Sequence, residues 1–311
     1  MAKRDLLSLQ DLTTHEVLDL ISRGRTFKGE PESTLKRAPL RGKTLGLLFE
    51  KASTRTRVSF EVAMSHLGGH SIFLSMEDLQ LRRGETIADT ARVLSRYLDG
   101  LVIRTFGQDT LIQWGQSATI PVINGLTDLH HPCQALGDLL TLQERFGTLK
   151  GLKLAYVGDG NNVAHSLIEG AVKVGMTISL SCPKGYGPDP GIVKAAQQEA
   201  RRTGGSVELA KDPQKAASGV DVLYTDVWVS MGKEREAKRR QKLLKPYQVN
   251  AKLLAMAKPH AVVMHCLPAH RDQEITGEVM DGPRSIVWEQ AENRLHIQKA
   301  ILEWLLGPGR N

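Results

Sequence analysis

Cysteine is scarce in this chain, and its placement excludes a disulfide scaffold. Cys133, Cys182 and Cys266 are an odd, widely spaced set in 311 residues, a usage that fits a reducing compartment. Long apolar runs are also missing. No window of 18 or more apolar residues occurs, and Met1-Ala2-Lys3-Arg4-Asp5 leads into an amphipathic pattern instead of an apolar signal core. The expectation is a soluble, cytoplasmic protein with no membrane partner. There is no short-period repeat and no low-complexity segment. Aromatics are absent from the run Lys233–Lys242, which holds much of the net charge of +7. With acids mixed in and nothing to stack on bases, that run reads as a solvated loop or helix face. No nucleic-acid partner is expected, and small anionic substrates account for the remaining basic bias.

What is present is an alternation of short apolar runs and amphipathic stretches. After one helical pattern from Ser8 to Phe27, with Thr13-Thr14 as its start, strands are expected at 44–50, 71–75, 101–104 and 121–126. Helices fall between them, and Met76–Glu85 reads as a polar loop. A long helix from Pro132 to Phe146 follows, with proline suited to a first helical position. The alternation then resumes, with strands at 152–157, 177–181, 206–210, 221–227 and 261–266, and a last helix from about Gln290 to Leu306. Two successive units of this kind predict an α/β protein of two doubly wound domains with parallel sheets and a ligand site in the cleft between them.

Open parallel sheets bind ligands beyond the carboxyl ends of their strands, so polar residues just after apolar runs carry the information. The richest such place is Ser53-Thr54-Arg55-Thr56-Arg57, between a buried strand and a helix that ends at Gly68-Gly69. Unpaired backbone N–H groups and the positive end of a helix dipole meet there. Two guanidinium groups and three hydroxyls within five residues suit a phosphate dianion better than a carboxylate. The other strand-end positions are Arg104, His130–Gln134, Gly158–Asn162, Asp226–Gly232 and His265–Pro268.

Two rival chemistries are weaker. Gly158-Asp159-Gly160-Asn161-Asn162-Val163 imitates a dinucleotide fingerprint, but Val163 stands where the third glycine belongs. His130, His131, Cys133, His265, Cys266 and His270 contain no zinc-knuckle spacing, and adjacent strand residues such as His265 and Cys266 are expected to point to opposite faces. No metal and no cofactor is expected.

These motifs together resemble the aspartate/ornithine carbamoyltransferase family, most closely its ornithine branch. The family's Ser-x-Arg-Thr-Arg motif stands as Ser53–Arg57, and its His-Pro-x-Gln motif as His131-Pro132-Cys133-Gln134. The ornithine branch's Asp-x-Trp-x-Ser-Met-Gly loop stands as Asp226–Gly232, and its His-Cys-Leu-Pro strand end as His265–Pro268. With Asp89–Leu94 and Ala291-Glu292-Asn293-Arg294 the likeness runs over essentially the whole chain. One departure is Ala52, where members commonly carry proline.

The resemblance implies a carbamoyltransferase that makes citrulline and phosphate from carbamoyl phosphate and L-ornithine. It implies a carbamoyl-phosphate-binding domain over 1–145, an ornithine-binding domain over 146–288, and a C-terminal helix, 289–311, packing back on the first. Ser53, Thr54, Arg55 and Thr56 would hold the phosphate. Arg104, His131 and Gln134 would sit around the carbamoyl group, Pro132, Cys133 and Arg294 would also bind carbamoyl phosphate, and Cys266 and Leu267 would lie where the two substrates meet, with Arg104, His131 and Cys266 as the catalytic set. Asn162, Asp226, Ser230 and Met231 would bind ornithine, with Ser230-Met231-Gly232 closing as a lid. Gln80 would reach a neighbouring subunit's site, implying a homo-oligomer, either a trimer or an assembly of trimers.

Overall fold

The computed structural model describes residues 3–77, 79–229 and 234–308. The chain divides into two compact units, Met1–Leu140 with Asn293–Asn311, and Thr141–Glu292. In the first unit, β1 (Thr44–Phe49), β2 (His70–Ser75), β3 (Gly100–Arg104) and β4 (Val122–Leu126) form a sheet in the order β2-β1-β3-β4. Every pairing is parallel. In the second unit, β5 (Lys153–Val157), β6 (Thr177–Ser181), β7 (Ser206–Leu209), β8 (Val222–Thr225) and β9 (Val262–His265) form a parallel sheet in the order β7-β6-β5-β8-β9. The expected α/β class with two parallel sheets is what the structure shows.

In each sheet the chain winds outward from its first strand and then returns to the other side of it. The reversal falls between β1 and β3 and between β5 and β8. Crossovers leave such a pair of strands in opposite directions, so their carboxyl ends border a crevice. The strands themselves read as apolar runs because both faces are covered. All five residues of β3 are buried, as are five of six in β1. Leu48, Ile103, Leu111 and Trp114 lie in one core cluster of the first unit, and Val157, Leu223, Val263 and Ile275 in one of the second.

Local signals set the helix starts. Thr13 and Glu16 form a capping box at helix Thr14–Gly29, each side chain taking up a backbone N–H that would otherwise lack a partner. Ser53 caps helix Thr54–His66, its Oγ accepting from the Thr56 N–H at 3.3 Å. Several boundaries differ from the sequence reading. The stretch read as a strand over 221–227 ends at Thr225, so Asp226 and Val227 lie in the loop beyond the sheet. The last helix begins at Val287. The polar loop 76–85 contains a 3-10 turn, Gln80–Arg83. The basic run read as a solvated face contains helix Ala237–Leu244, in which Arg240 is only 4% exposed. Its burial follows from partners far away in sequence, described below.

Gly160 explains the glycine-rich turn after β5. A Cβ there would lie 2.4 Å from the Pro188 nitrogen and 2.5 Å from the Gly187 carbonyl carbon. The Gly160 N–H donates to the Tyr186 carbonyl at 2.8 Å. The missing side chain thus admits a neighbouring backbone segment, a packing reason for the pattern that imitates a dinucleotide fingerprint. Gly160→Ala should therefore lower unfolding stability by about 1–3 kcal/mol in urea titration. Gly29→Ala, where an added Cβ meets nothing within 4 Å, should change it by less than about 1 kcal/mol.

Candidate active site

The crevice residues of the first unit are cationic. Arg294, on the last helix, donates from Nη2 to Thr56 Oγ1 at 3.0 Å and from Nη1 to Gln134 Oε1 at 2.6 Å. Gln134 in turn donates to Asp138 Oδ1 at 2.8 Å. One guanidinium thus joins the first turns of helices Thr54–His66 and Pro132–Phe146, where backbone N–H groups lack helical partners. Arg104 stands at the end of β3, where the pairing with β4 shifts register between Ile103 and Arg104; such irregularities turn a side chain away from the regular pleat.

His131 is 5% exposed. Burial, and then the guanidinium groups of Arg294, Arg104 and Arg55, hold its pKa well below the usual imidazole value. Burial and these three cations all oppose protonation, so the ring is neutral at physiological pH and able to donate a hydrogen bond without adding charge. Lys51 is also buried and pairs with Asp128, its ammonium 4.1 Å from the Phe106 ring centroid. It ties together the loops that follow β1, β3 and β4.

The second unit gathers a different chemistry at the β5/β8 reversal. Asn161 caps helix Asn162–Lys173, its Oδ1 accepting from the N–H groups of Val163 and Ala164 at 3.0 and 3.2 Å. Its Nδ2 donates to Asp226 Oδ2 at 2.6 Å. Asp226 Oδ1 accepts from the Val227 N–H at 2.7 Å and from the Cys266 thiol at 2.8 Å. A carboxylate can accept about four hydrogen bonds. Among the described residues Oδ2 has one donor, so it retains capacity for an ammonium.

Behind this group lie Tyr156 and Tyr224, stacked with centroids 5.9 Å apart. The Tyr156 hydroxyl donates to the Asp159 carbonyl at 2.8 Å, and burial followed by Asp226 and Asp159 raises its pKa well above the phenol range. The turn after β9 is fixed by His265, whose Nδ1 accepts from the Leu267 N–H at 2.9 Å and whose Nε2 donates to Glu274 Oε1 at 3.3 Å. Leu267 takes the left-handed conformation, with φ of 59°, and is followed by a cis bond to Pro268.

Two signatures of one family match these two units in turn. Residues 4–144 match the aspartate/ornithine carbamoyltransferase carbamoyl-P binding domain, and residues 150–305 match the Asp/Orn binding domain of the same family. The chain belongs to the aspartate/ornithine carbamoyltransferase family. Among its relatives, the anabolic ornithine carbamoyltransferase of Pyrococcus furiosus is 54% identical over 99% of this chain and 98% of its own. The ornithine carbamoyltransferase of Gloeobacter violaceus is 56% identical over 97% and 96%. Among solved structures, the Pyrococcus furiosus enzyme superposes with a TM-score of 0.95, covering 99% of this chain and 98% of that one. The Thermus thermophilus ornithine carbamoyltransferase, 42% identical, gives 0.88 over 98% and 100%.

The family motifs fall at strand ends, but not every side chain in them is offered to a ligand. Arg57 donates to Glu61 at 2.9 Å and lies 3.8 Å from the Phe73 ring centroid. Of the two guanidinium groups in this loop, that of Arg57 is thus engaged by its own helix and by Phe73. Cys133 is fully buried, donates its thiol to the Asn124 carbonyl at 3.4 Å, and has its pKa pushed up to about 12 by burial. Its side chain packs the helix against β4, and only its backbone remains for a substrate. Pro132 is the first residue of that helix. Gln80 is exposed in its 3-10 turn. Ser230 and Met231, and with them the expected lid, lie outside the described residues.

The expectation that His265 and Cys266 point to opposite faces does not hold, because β9 ends at His265. Ligand-capable atoms of Asp226, His265 and Cys266 lie within 4.8 Å of one another. As a metal donor set this is a poor fit, since both ring nitrogens of His265 are engaged, by Leu267 and by Glu274. One contributor had no role assigned from the sequence. Asn161, beside the expected Asn162, is the residue that bonds Asp226, and its position before a helix was the available signal. Asp226 is also the partner of Cys266, across 40 residues.

His131 gives a pH test. Its folded pKa is depressed, so its contribution to stability is present above the unfolded value of about 6.5 and is lost as pH falls from there through the folded value. Imidazole nitrogen NMR shifts should report a neutral ring at pH 6, with protonation only at lower pH.

Proposed function

We propose that this protein transfers the carbamoyl group of carbamoyl phosphate to the δ-amine of L-ornithine, giving L-citrulline and phosphate. The observation that carries the reading is the neutral, buried His131 among Arg55, Arg104 and Arg294. That arrangement matches an anion whose carbonyl oxygen gathers further negative charge in the transition state.

Carbamoyl phosphate is held in the first unit. Ser53, Thr54, Arg55 and Thr56 take the phosphate at the start of helix Thr54–His66, where the dipole and the N–H groups favour an anion. Arg104 and His131 donate to the carbonyl oxygen, a stabilisation that grows as the tetrahedral oxyanion forms. Gln134 and Arg294 orient the carbamoyl group. Ornithine is held in the second unit, its α-ammonium on Asp226 Oδ2 and its carboxylate on Asn162 and the backbone near Met231. The neutral δ-amine attacks the carbonyl carbon, a C–N bond forms, the C–O bond to phosphate breaks, and the departing phosphate takes the amine proton. Substrates so activated need orientation more than a covalent intermediate. The Cys266 thiol is engaged as a donor to Asp226, which suits an orienting role rather than a nucleophilic one.

The anabolic name of the Pyrococcus furiosus relative supports a place in arginine biosynthesis. No helix among the described residues is long and apolar enough to cross a membrane, which accords with a cytoplasmic enzyme. We assign the active form to a homotrimer or an assembly of trimers in which Gln80, exposed in its turn, completes a neighbouring subunit's site.

A colorimetric citrulline assay should show product from ornithine and carbamoyl phosphate. Putrescine, acetylornithine and aspartate should not be carbamoylated in its place; a preference for any of the three would overturn the acceptor assignment. Arg55→Ala should raise the KM for carbamoyl phosphate about 10- to 100-fold, the equivalent of roughly 1.5–3 kcal/mol for a charge-assisted bond. Because Arg55 is exposed, its melting temperature should stay close to that of the unmodified protein.

A further inference from the structure

Arg240 is the buried member of an otherwise solvated basic run, and its partners come from four separate pieces of the second unit. Nη1 donates to Asp159 Oδ2 at 2.6 Å and to the Trp228 carbonyl at 3.1 Å. Nε donates to Glu236 Oε2 at 3.0 Å, one turn earlier on the chain. The guanidinium carbon lies 4.8 Å from the Tyr186 ring centroid. Asp159 belongs to the turn that carries Asn161 and Asn162, and Trp228 lies two residues beyond Asp226. Tyr186 lies in the segment whose backbone packs on Gly160.

One planar, permanently charged fork therefore fixes the distance between the turn after β5 and the loop after β8. A buried ion pair of this kind contributes little net stability, because removing both charges from water offsets most of their attraction. What it does supply is geometry. Without it, Asp159 loses its 2.6 Å bond to the guanidinium, and the Trp228 carbonyl loses that donor.

We propose that Arg240 is a positioning residue for the amino-acid half-site: through Asp159 and Trp228 it holds Asn161-Asn162 and Asp226 at the spacing that grips the substrate's α-ammonium and carboxylate. This rests on the assignment of ornithine to the second unit. Arg240 touches no substrate itself, so its loss weakens ornithine binding and leaves carbamoyl phosphate binding intact.

The test is steady-state citrulline formation by the full chain carrying Arg240→Met, Arg240→Lys, Asp159→Asn or the Arg240→Met/Asp159→Asn pair, with Asp221→Asn as a control. Asp221 precedes β8 and pairs with Lys258 at 2.8 Å, so it matches the ion-pair loss without touching the site. Arg240→Met should raise the KM for ornithine by about tenfold or more while that for carbamoyl phosphate stays within about twofold. Arg240→Lys should fall between it and the unmodified protein, since lysine keeps the charge but not the fork. The double variant should be no worse than the worse single one, as expected of residues acting as a unit. Asp221→Asn should lower the melting temperature and leave the ornithine KM unchanged.

An ornithine KM within about twofold of the unmodified value in folded Arg240→Met would overturn the proposal, as would an equal rise in Asp221→Asn. If Arg240→Met does not fold, Arg240→Lys decides by the same criterion. An unmodified protein that forms no citrulline from ornithine would instead overturn the substrate assignment, and this inference with it.

Discussion

Each sheet of this protein is wholly parallel and reverses its winding once, and that constraint places the chemistry. Parallel strands need crossovers, crossovers on opposite sides of a central strand leave in opposite directions, and the carboxyl ends at the reversal border a crevice. In the first sheet those ends carry Ser53–Arg57 and Arg104, after β1 and β3. In the second they carry Gly158–Asn162 and Asp226, after β5 and β8. The Ser53–Arg57 and Asp226 motifs are thus loops that this winding makes available, whereas His131–Gln134 and His265–Pro268 follow the edge strands β4 and β9; the strands need only be apolar enough to be covered on both faces.

The two crevices are electrically opposite. In the first, the guanidinium groups of Arg294, Arg104 and Arg55 bear on His131, and the ring stays neutral because burial and those charges both oppose its protonation. A second helix start is joined to the first through Arg294, so the polar N–H ends of two helices share one cation. In the second, a carboxylate is held by an amide, a backbone N–H and a thiol. These donors fix the orientation of Asp226 and leave Oδ2 with acceptor capacity for a cationic partner. A phosphate dianion and an amino acid's ammonium are the complements of these two fields.

Much of the fold was legible because its signals are local. Apolar runs bounded by glycine and polar turns gave the strands, and Ser53, Thr13 and Pro132 marked helix starts through hydrogen-bonding needs confined to a few residues. The motif positions at strand ends followed from the same pattern. What escaped were pairings between distant segments. The bond of Asn161 to Asp226 spans 65 residues, and that of Arg240 to Asp159 spans 81. No periodicity carries such information. Arg240 looked like its solvated neighbours because a charged run gives no sign of which member has a buried counter-ion. A motif also fixes residue type but not which way a side chain turns: the Cys133 thiol donates to the Asn124 carbonyl, and the Arg57 guanidinium stacks on Phe73.

The central claim is that the anion is bound by the first unit and the amino acid by the second, each through residues of its own. Titration calorimetry of carbamoyl phosphate against Arg294→Ala and Asp226→Asn tests it most directly. The account predicts an affinity loss of about tenfold or more for Arg294→Ala and a change within about twofold for Asp226→Asn. Loss of carbamoyl phosphate binding in Asp226→Asn, with Arg294→Ala unaffected, would contradict it.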